Sequence, residues 1–241
     1  MNLQSGEIVG AEALARWTDE SGESVPPDVF IAVAENAGFI GELTSLVMEN
    51  VLHDLGEMLV HESLHVTMNI FAADLTDEGF FPHLEQCLRR SGVPPAALGF
   101  EISEHATALK DDAIAVIARL RLAGHVVYLD DFGTGYSSLA YLHDLHADAI
   151  KIDRTFTKTV GTEAVTASVL PQILDMACRL GLKVTVEGIE TEEQAAYFRR
   201  TCAGVMGQGW LFGRPVSAAE IIALIESRNG ESTKKGTAGS L

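Results

Sequence analysis

Short apolar segments alternate with longer amphipathic segments along most of the chain. The segment His125-Val126-Val127-Tyr128-Leu129 is typical of a buried strand, because it is short, rich in β-branched and aromatic residues, and bounded by Gly124 and a glycine-rich turn. Comparable segments predict strands at residues 7–11, 65–68, 98–100, 147–150, 182–186 and 204–207. Amphipathic patterns predict helices at residues 28–34, 42–60, 80–90, 111–123, 162–180, 192–200 and 218–227.

This alternation predicts one α/β domain with a parallel sheet, and repeated right-handed crossovers favour a TIM-like (β/α)8 barrel. Seven strands are predicted, whereas a closed barrel of this type needs eight. We therefore expect one strand to be missing at the start of the chain. Pro171 is expected to kink or divide the helix at 162–180. The domain is expected to span residues 1–228, and residues 229–241, which have no apolar period, are expected to be disordered.

Polar side chains stand at the predicted carboxyl ends of the strands, where barrels of parallel strands place their active sites. They are Glu12, Asn69, Glu101, Asp130 with Asp131, Lys151, Glu187 and Gln208. This oxygen-rich set suits Mg²⁺ or Mn²⁺ better than Zn²⁺, which prefers histidine and cysteine. Two ions bridged by an aspartate would clamp a phosphodiester for in-line attack by a bound water. Lys151 would orient that water or neutralise the developing charge.

Several of these residues also have simpler interpretations. The adjacent carboxylates of Asp130 and Asp131 repel each other, which a cation or a shared proton would offset, but Asp131 is also suited to cap a following helix. Glu187 and Glu190 fit a solvated first helical turn, where acids are favoured. Lys151 also fits an exposed surface lysine, although its place at the end of a buried strand favours a site residue.

The chain carries 34 acidic against 17 basic residues, for a formal net charge of −17 at pH 7. Binding to duplex DNA is therefore not expected, and metal ions would have to attract any anionic ligand locally. Cys87, Cys178 and Cys202 form no C-x-x-C pair, which favours a reducing, cytoplasmic location. The sequence shows no signal-peptide pattern and no apolar run as long as a membrane span, so we expect no direct membrane contact.

Seven motifs follow one another along the chain. They are Glu12-Ala13-Leu14 with Arg16-Trp17, Asn69, Glu101-Ile102-Ser103-Glu104, Asp130 to Leu139, Lys151-Ile152-Asp153 with Phe156, Glu187-Gly188-Ile189-Glu190-Thr191 with Gln194, and Gln208-Gly209-Trp210. In this order and at these spacings they resemble the EAL-domain phosphodiesterases, which open cyclic di-GMP. The resemblance covers about residues 3 to 226.

The resemblance implies hydrolysis of cyclic di-GMP to linear pGpG with two Mg²⁺ or Mn²⁺ ions. It implies that one ion is held by Glu12, Asn69, Glu101 and Asp130, and the other by Asp130, Asp131 and Glu187. The implied catalytic residues are Lys151, Glu12 and Glu187. The implied substrate-binding residues are Leu14, Arg16, Asp153, Gln208 and Trp210. The implied supporting residues, some of them in a loop that joins catalysis to dimerisation, are Glu104, Glu190, Gly133, Thr134 and Gly135.

The chain departs from the family pattern most clearly at its start. Members of the family have an initial helix and an antiparallel strand before the Glu-Ala-Leu motif, and this sequence shows neither. An unpaired strand edge at residues 7–11 would favour pairing with another chain, so we expect a homodimer. The abrupt start also suggests the cytoplasmic part of a larger, membrane-anchored sensor protein. The alternative function is a receptor that binds cyclic di-GMP without cutting it, but the complete set of ligand positions favours an enzyme.

Two groups of histidines could be mistaken for metal ligands. His61-Glu62-Ser63-Leu64-His65 matches the H-E-x-x-H zinc-protease pattern, which works only on a continuous helix. Here the pattern falls at a predicted helix-to-strand junction, so a solvated loop is expected. His105 and His125 are interpreted as surface or packing residues.

Overall fold

The computed structural model describes residues 1–61, 64–108, 110–134 and 144–237. Its strands are β1 (Gly10–Ala13), β2 (Trp17–Thr18), β3 (Ser24–Val25), β4 (His65–Ile70), β5 (Leu98–Ser103), β6 (Val127–Phe132), β7 (Ala149–Ile152), β8 (Lys183–Val186) and β9 (Met206–Gly207). Seven of them form one parallel sheet in the order β1-β4-β5-β6-β7-β8-β9, and β2 pairs with β3 in a small antiparallel ribbon. The parallel order follows the chain order, as expected when each crossover turns in the same direction.

Helices connect most of the parallel strands. They are α1 (Pro27–Ala37), α2 (Ile40–His61), α3 (Ala72–Thr76), α4 (Phe80–Ser91), α5 (Lys110–Leu122), α6 (Arg154–Thr157), α7 (Val165–Arg179), α8 (Glu192–Thr201) and α9 (Ala218–Thr237). The predicted α/β fold of the TIM-like type is therefore confirmed. No helix in the described ranges is both long and apolar enough to cross a membrane.

The sheet is buried on both faces, as is usual for parallel strands covered by helices. Strand β5 illustrates the arrangement, because Phe100 is fully buried and its ring contacts Phe80 of α4 edge to face. The neighbouring side chain, Glu101, points to the other face and is also buried. Alternation along a strand thus separates a hydrophobic outer layer from a polar inner one.

The two edges of the sheet are β1 and β9. Beside β9, Asn2 forms an antiparallel bridge with Met206, and the Leu3 N–H donates to the Val205 carbonyl at 3.1 Å. Among the described residues, β1 pairs with β4 on one side and has no strand partner on the other. The prediction of seven parallel strands agrees with this arrangement. Residues 1–3, however, lie antiparallel beside β9, where the sequence predicts that a strand is missing.

Three predicted boundaries differ from the structure. The strand predicted at 7–11 lies at Gly10–Ala13, so Glu12 belongs to the strand instead of following it. Helix α7 is not divided at Pro171, which is exposed, so that water can reach the carbonyl that loses its backbone donor. Helix α9 extends to Thr237, so its last residues reach into the segment 229–241 that the sequence predicts to be disordered.

Candidate active site

The predicted site residues converge at the carboxyl ends of the parallel strands. The strand register places Glu12 beside Thr67 and Asn69 beside Glu101. Because residues paired in parallel strands point to the same face, their side chains meet inside the curved sheet. Asp130 and Lys151 each follow one residue of the pair Leu129 and Ile150 in β6 and β7, and Glu187 and Gln208 follow β8 and β9.

Lys151 occupies the centre of this group, with only 2% of its side chain exposed. Its Nζ lies 2.6 Å from Glu101 Oε2, 2.7 Å from Glu187 Oε1, 3.1 Å from Glu12 Oε2 and 3.3 Å from Asp130 Oδ1. Burial alone would lower the pKa of Lys151, but the four carboxylates hold it well above the ordinary value. Lys151 is therefore a buried cation. The simpler interpretation of this residue as an exposed lysine is wrong.

Glu12 is the most fully hydrogen-bonded of these carboxylates. Besides Lys151, it accepts hydrogen bonds from Asn69 Nδ2 at 3.2 Å and from Gln208 Nε2 at 2.8 Å. Burial acts to raise its pKa, but Lys151 and the two amides outweigh that effect and lower it. Glu12 is therefore ionised at neutral pH.

If all the other acids were ionised, they would carry more negative charge than Lys151 can balance. Burial, together with the charges of Glu12 and Asp130, raises the pKa of Glu101 to about 8 in spite of Lys151. Burial likewise raises the pKa of Glu187 to about 7. Additional positive charge beside Glu101 and Glu187 would favour the ionised form of both carboxyl groups.

The backbone at the end of β6 brings two consecutive aspartates to the same side of the sheet. Neighbouring residues of a regular strand point to opposite faces. Here Asp131 adopts a φ of 55°, and the pairing between β6 and β7 shifts register between Leu129 and Phe132. As a result, carboxylate oxygens of Asp130, Asp131 and Glu187 all lie within 4.8 Å of one another. Any helix that Asp131 would cap, as in the alternative prediction, begins outside the described residues.

These oxygens fit a hard divalent cation. Asp130 Oδ1 is buried and accepts no hydrogen bond from the described residues, although it lies near Lys151, so its lone pairs face the cluster. Burial, followed by the charges of Asp130 and Asp153, also raises the pKa of Asp131. Oxygen donors with excess negative charge are the ligands that Mg²⁺ and Mn²⁺ prefer.

The segment after Asp131 is held from β5. Glu104 is buried, and its Oε2 accepts the Gly133 N–H at 3.0 Å. Gly133 has a φ of 96°, and a Cβ atom there would lie 2.6 Å from the Phe156 ring, so a larger residue would not fit. The Thr134 hydroxyl donates to the Asp131 carbonyl at 2.9 Å. Gly135, predicted to belong to the same loop, lies outside the described residues.

The predicted substrate-binding residues surround a cleft of about 2340 Å³ above Lys151. Leu14 and Trp210 are exposed, and Arg16 donates to the neighbouring Ala15 carbonyl at 2.8 Å. Asp153 caps α6 by accepting the Thr155 N–H at 2.9 Å. Glu190 is exposed at the rim, where its carboxylate does not take part in the contacts around Lys151.

Two further residues at this site were not predicted from the sequence. The Thr67 hydroxyl donates to Glu101 Oε1 at 2.5 Å. Its spacing of two residues from Asn69 in one strand is the signal that would have placed it on the same face. The Arg214 guanidinium lies 4.5 Å from the centroid of the Trp210 ring, and nothing in the local sequence pattern indicates this contact.

The comparison with known families decides the assignment. Residues 1–215 match the family model described as the EAL domain. The chain belongs to the EAL family. Among its curated relatives is the probable cyclic di-GMP phosphodiesterase PdeB of Escherichia coli (strain K12), which is 39% identical over 228 residues. Another is the cyclic di-GMP phosphodiesterase NbdA of Pseudomonas aeruginosa, which is 36% identical over 222 residues.

Solved structures agree with this EAL assignment. The fold is similar to that of PaMucR phosphodiesterase in complex with c-di-GMP, with a TM-score of 0.81, 31% identity, and coverage of 88% of this chain and 87% of that one. It is also similar to the cGMP-bound EAL enzyme Bd1971, with a TM-score of 0.86, 28% identity, and coverage of 93% and 63%. The matches to PdeB and NbdA cover 94% and 91% of this chain but only 43% and 28% of those relatives, so the chain spans less than half of their length.

The H-E-x-x-H pattern does not form a helical pair of ligands in this EAL domain. His61 is the last residue of α2, whereas His65 begins β4 and contacts the Ala96 carbonyl through Nδ1 at 3.0 Å. Glu62 and Ser63 lie outside the described residues. His105 is exposed and His125 is buried against Phe100, in agreement with their interpretation as surface and packing residues.

Proposed function

We propose that this chain is a metal-dependent phosphodiesterase that hydrolyses cyclic di-GMP to linear pGpG. The observation that carries this proposal is a single buried lysine among four carboxylates, next to a cluster of three acids suited to a divalent cation. The names of the curated relatives and the c-di-GMP complex of PaMucR phosphodiesterase support the choice of substrate.

In this proposal the acids divide between two Mg²⁺ or Mn²⁺ positions. Glu12, Asn69, Glu101 and Asp130 would hold one ion, and Asp130, Asp131 and Glu187 would hold the other. Bound ions of this kind lower the pKa of a water ligand and stabilise the charge that develops on a phosphate. Asp130 would serve both ions, in keeping with a buried Oδ1 that accepts no hydrogen bond from the described residues.

Lys151 positions the attacking water. Its high pKa keeps the protons on Nζ, so it acts as a hydrogen-bond donor and a positive charge and not as a general base. Glu12 and Glu187, both within 3.1 Å of Nζ, fix the direction of those protons. Water attacks the phosphorus, the bond to the 3′ oxygen breaks, and the product keeps the new oxygen on its 5′-phosphate.

The cleft provides the contacts for the dinucleotide. Arg16 would meet a phosphate with its planar guanidinium, which can donate two parallel hydrogen bonds. Leu14 and the exposed Trp210 ring would pack against the bases, and stacking on Trp210 is of the kind that binds single-stranded nucleotides. Asp153 and Gln208 would complete the polar contacts. We place this domain at residues 1–228, in the cytoplasm.

A second candidate function follows from the open edge of β1. Among the described residues, β1 has no second strand partner, and residues of β1 line the cleft. A second protein chain at this edge would then be needed to set the geometry for catalysis. In that case the chain would act as a receptor that binds cyclic di-GMP without hydrolysis, or as a homodimer that completes the site.

Turnover measured beside binding separates the two functions. The purified chain is incubated with cyclic di-GMP and either Mg²⁺ or Mn²⁺, and the product is separated by chromatography. We expect pGpG from the wild-type chain, and a loss of at least about 100-fold in Glu12→Gln and Glu187→Gln, as for removal of a group that stabilises a transition state. Binding without turnover at any protein concentration would establish the receptor. Turnover that rises more steeply than protein concentration would indicate the dimer.

A further inference from the structure

A second group of metal-ligating side chains lies on the outer helices. Glu49 belongs to α2, and His83 and Cys87 belong to α4. The spacing of four residues places His83 and Cys87 on one face of α4, and that face meets α2. We propose that Glu49, His83 and Cys87 form a tetrahedral site for Zn²⁺ or a similar borderline-soft divalent cation, with water as the fourth ligand.

The distances already match those of such a site. His83 Nε2 lies 3.3 Å from Glu49 Oε1 and 3.6 Å from Cys87 Sγ, and the three ligand atoms are all within 4.8 Å of one another. Tetrahedral zinc with bonds of about 2.3 Å to sulfur, about 2.0 Å to nitrogen and about 2.1 Å to oxygen separates its ligands by about 3.4–3.6 Å. A cation would therefore fit between these atoms with small side-chain adjustments.

One imidazole nitrogen cannot satisfy both neighbours. If His83 Nε2 carries a proton, it donates a hydrogen bond to the Glu49 carboxylate and can donate little to the Cys87 sulfur. If Nε2 carries a lone pair instead, it accepts a hydrogen bond from the Cys87 thiol, but the lone pair is repelled by the Glu49 carboxylate. A cation in the centre resolves this conflict, because the nitrogen lone pair, the carboxylate and a thiolate all point to it. Binding would transfer the thiol proton to solvent.

Exposure and donor chemistry distinguish this group from the catalytic cleft. Cys87 is buried, whereas the side chains of His83 and Glu49 are 31% and 52% exposed, which leaves a path for the ion and a position for water. Sulfur and nitrogen donors select zinc over magnesium, whereas the site around Lys151 offers oxygen donors. An ion bound here would join α2 to α4.

Cobalt provides a probe that reports the thiolate directly. The reduced, EDTA-stripped chain is saturated with Mg²⁺ to fill the oxygen-rich site and then titrated with Co²⁺, which gives a near-ultraviolet charge-transfer band only when a thiolate binds. We expect an equimolar, tetrahedral Co²⁺ spectrum that Zn²⁺ abolishes by displacement. Cys87→Ser should lose the band. The matched controls Cys178→Ser and Cys202→Ser should keep it.

Variants of the two less buried ligands keep the test decisive if Cys87→Ser does not fold. Since loss of an outer-shell partner already weakens metal binding about 10–100-fold, His83→Asn should weaken Co²⁺ binding by at least about 100-fold, and Glu49→Gln should also weaken it. Circular dichroism checks the fold of each variant. A wild-type chain without the band, a band that survives in a folded Cys87→Ser chain, or wild-type affinity in both His83→Asn and Glu49→Gln would overturn the proposal.

Discussion

At the scale of single residues, the balance of charge determines how the candidate site is built. Lys151 supplies one positive charge to four carboxylates that the fold brings within 3.3 Å of its Nζ. Removal of one partner from a buried group of ion pairs leaves an uncompensated buried charge. The resulting loss of folding stability is larger than the net stability that the intact group contributes. The site is therefore sensitive to substitutions that change charge without changing volume.

Lys151→Met tests this balance. We expect turnover to fall by at least about 100-fold and the free energy of unfolding to fall by about 3–5 kcal/mol in EDTA. The loss of stability should be smaller in Mg²⁺, because a divalent cation replaces the missing charge. Chemical denaturation in both buffers measures it. Lys183→Met, at the exposed start of β8, is the control, and equal losses in both variants would show that Lys151 has no special role.

Asp131 combines an unusual backbone conformation with a carboxylate. Its φ of 55° is tolerated by asparagine and aspartate but costs other residues about 1–2 kcal/mol. Asp131→Asn should therefore fold with near wild-type stability but lose affinity for Mn²⁺, whereas Asp131→Ala should lose both. Isothermal titration with Mn²⁺ and thermal unfolding compare the two variants. Equal stability of both variants would mean that the backbone at this position is not strained.

His125 makes stability depend on pH in a defined direction. Burial lowers the pKa of His125 below its ordinary value, while its Nδ1–H donates to the Leu98 carbonyl at 2.8 Å. The unfolded chain therefore takes up a proton near pH 6.5 that the folded chain does not. The contribution of His125 to the free energy of unfolding should fall as the pH drops below about 6.5, by up to about 1.4 kcal/mol per pH unit. Glu101 and Glu187, whose pKa values are raised, act in the opposite direction over this range.

His125→Asn keeps a donor near the position of Nδ1 but has no group that titrates in this range. We expect denaturation curves from pH 7.5 to 5.5 to show that the wild type loses stability relative to this variant as the pH falls. His65, whose pKa is also lowered by burial, should preserve part of the dependence. His53→Asn, on the exposed side of α2, is the control. An unchanged slope in His125→Asn would contradict the assignment.

At the scale of elements, the carboxyl ends of the strands hold the candidate site residues, and contacts with the adjoining loops position them. Glu104, near the end of β5, holds the segment after β6 through the Gly133 N–H. This contact links the position of Asp131 to a neighbouring strand that also carries Glu101. The link lies beside the ligand cluster and is not part of it.

Glu104→Ala should therefore affect turnover more than metal binding. Without the acceptor for the Gly133 N–H, the segment that follows Asp131 loses one charged hydrogen bond, worth about 1.5–3 kcal/mol. We expect turnover to fall about 10-fold or more while the affinity for Mn²⁺ stays within a few-fold of wild type. Glu226→Ala, exposed on α9, provides the comparison. A parallel loss of turnover and Mn²⁺ affinity would place Glu104 among the metal ligands.

At the scale of the whole molecule, the sequence is sufficient to predict the fold class and the set of residues that meet at the strand ends. Periodicity identifies the strands, and the rule that parallel strands share one carboxyl edge brings Glu12, Glu101 and Lys151 together. The common face of Asp130 and Asp131 could not be predicted in this way, because it depends on a left-handed residue and a register shift that leave no periodic signal.

Other failures have equally local causes. The apolar run ends before Glu12 and so predicts that this residue follows its strand, whereas pairing with β4 continues through Ala13. The stacking of Arg214 on Trp210 and the grouping of Glu49 with His83 depend on how a loop or helix turns in space. Side-chain contacts between elements that are distant in sequence therefore cannot be predicted from the hydrophobic pattern.

Hydrolysis in water enriched in oxygen-18 tests the central claim most directly. The chain is incubated with cyclic di-GMP and Mg²⁺ or Mn²⁺, and the product is analysed by mass spectrometry. Attack of a water on phosphorus predicts pGpG that carries one labelled oxygen in its 5′-phosphate, and Lys151→Met should form this product at least about 100-fold more slowly. Bound but intact cyclic di-GMP, or pGpG without the label, would contradict a site built to hydrolyse a phosphodiester.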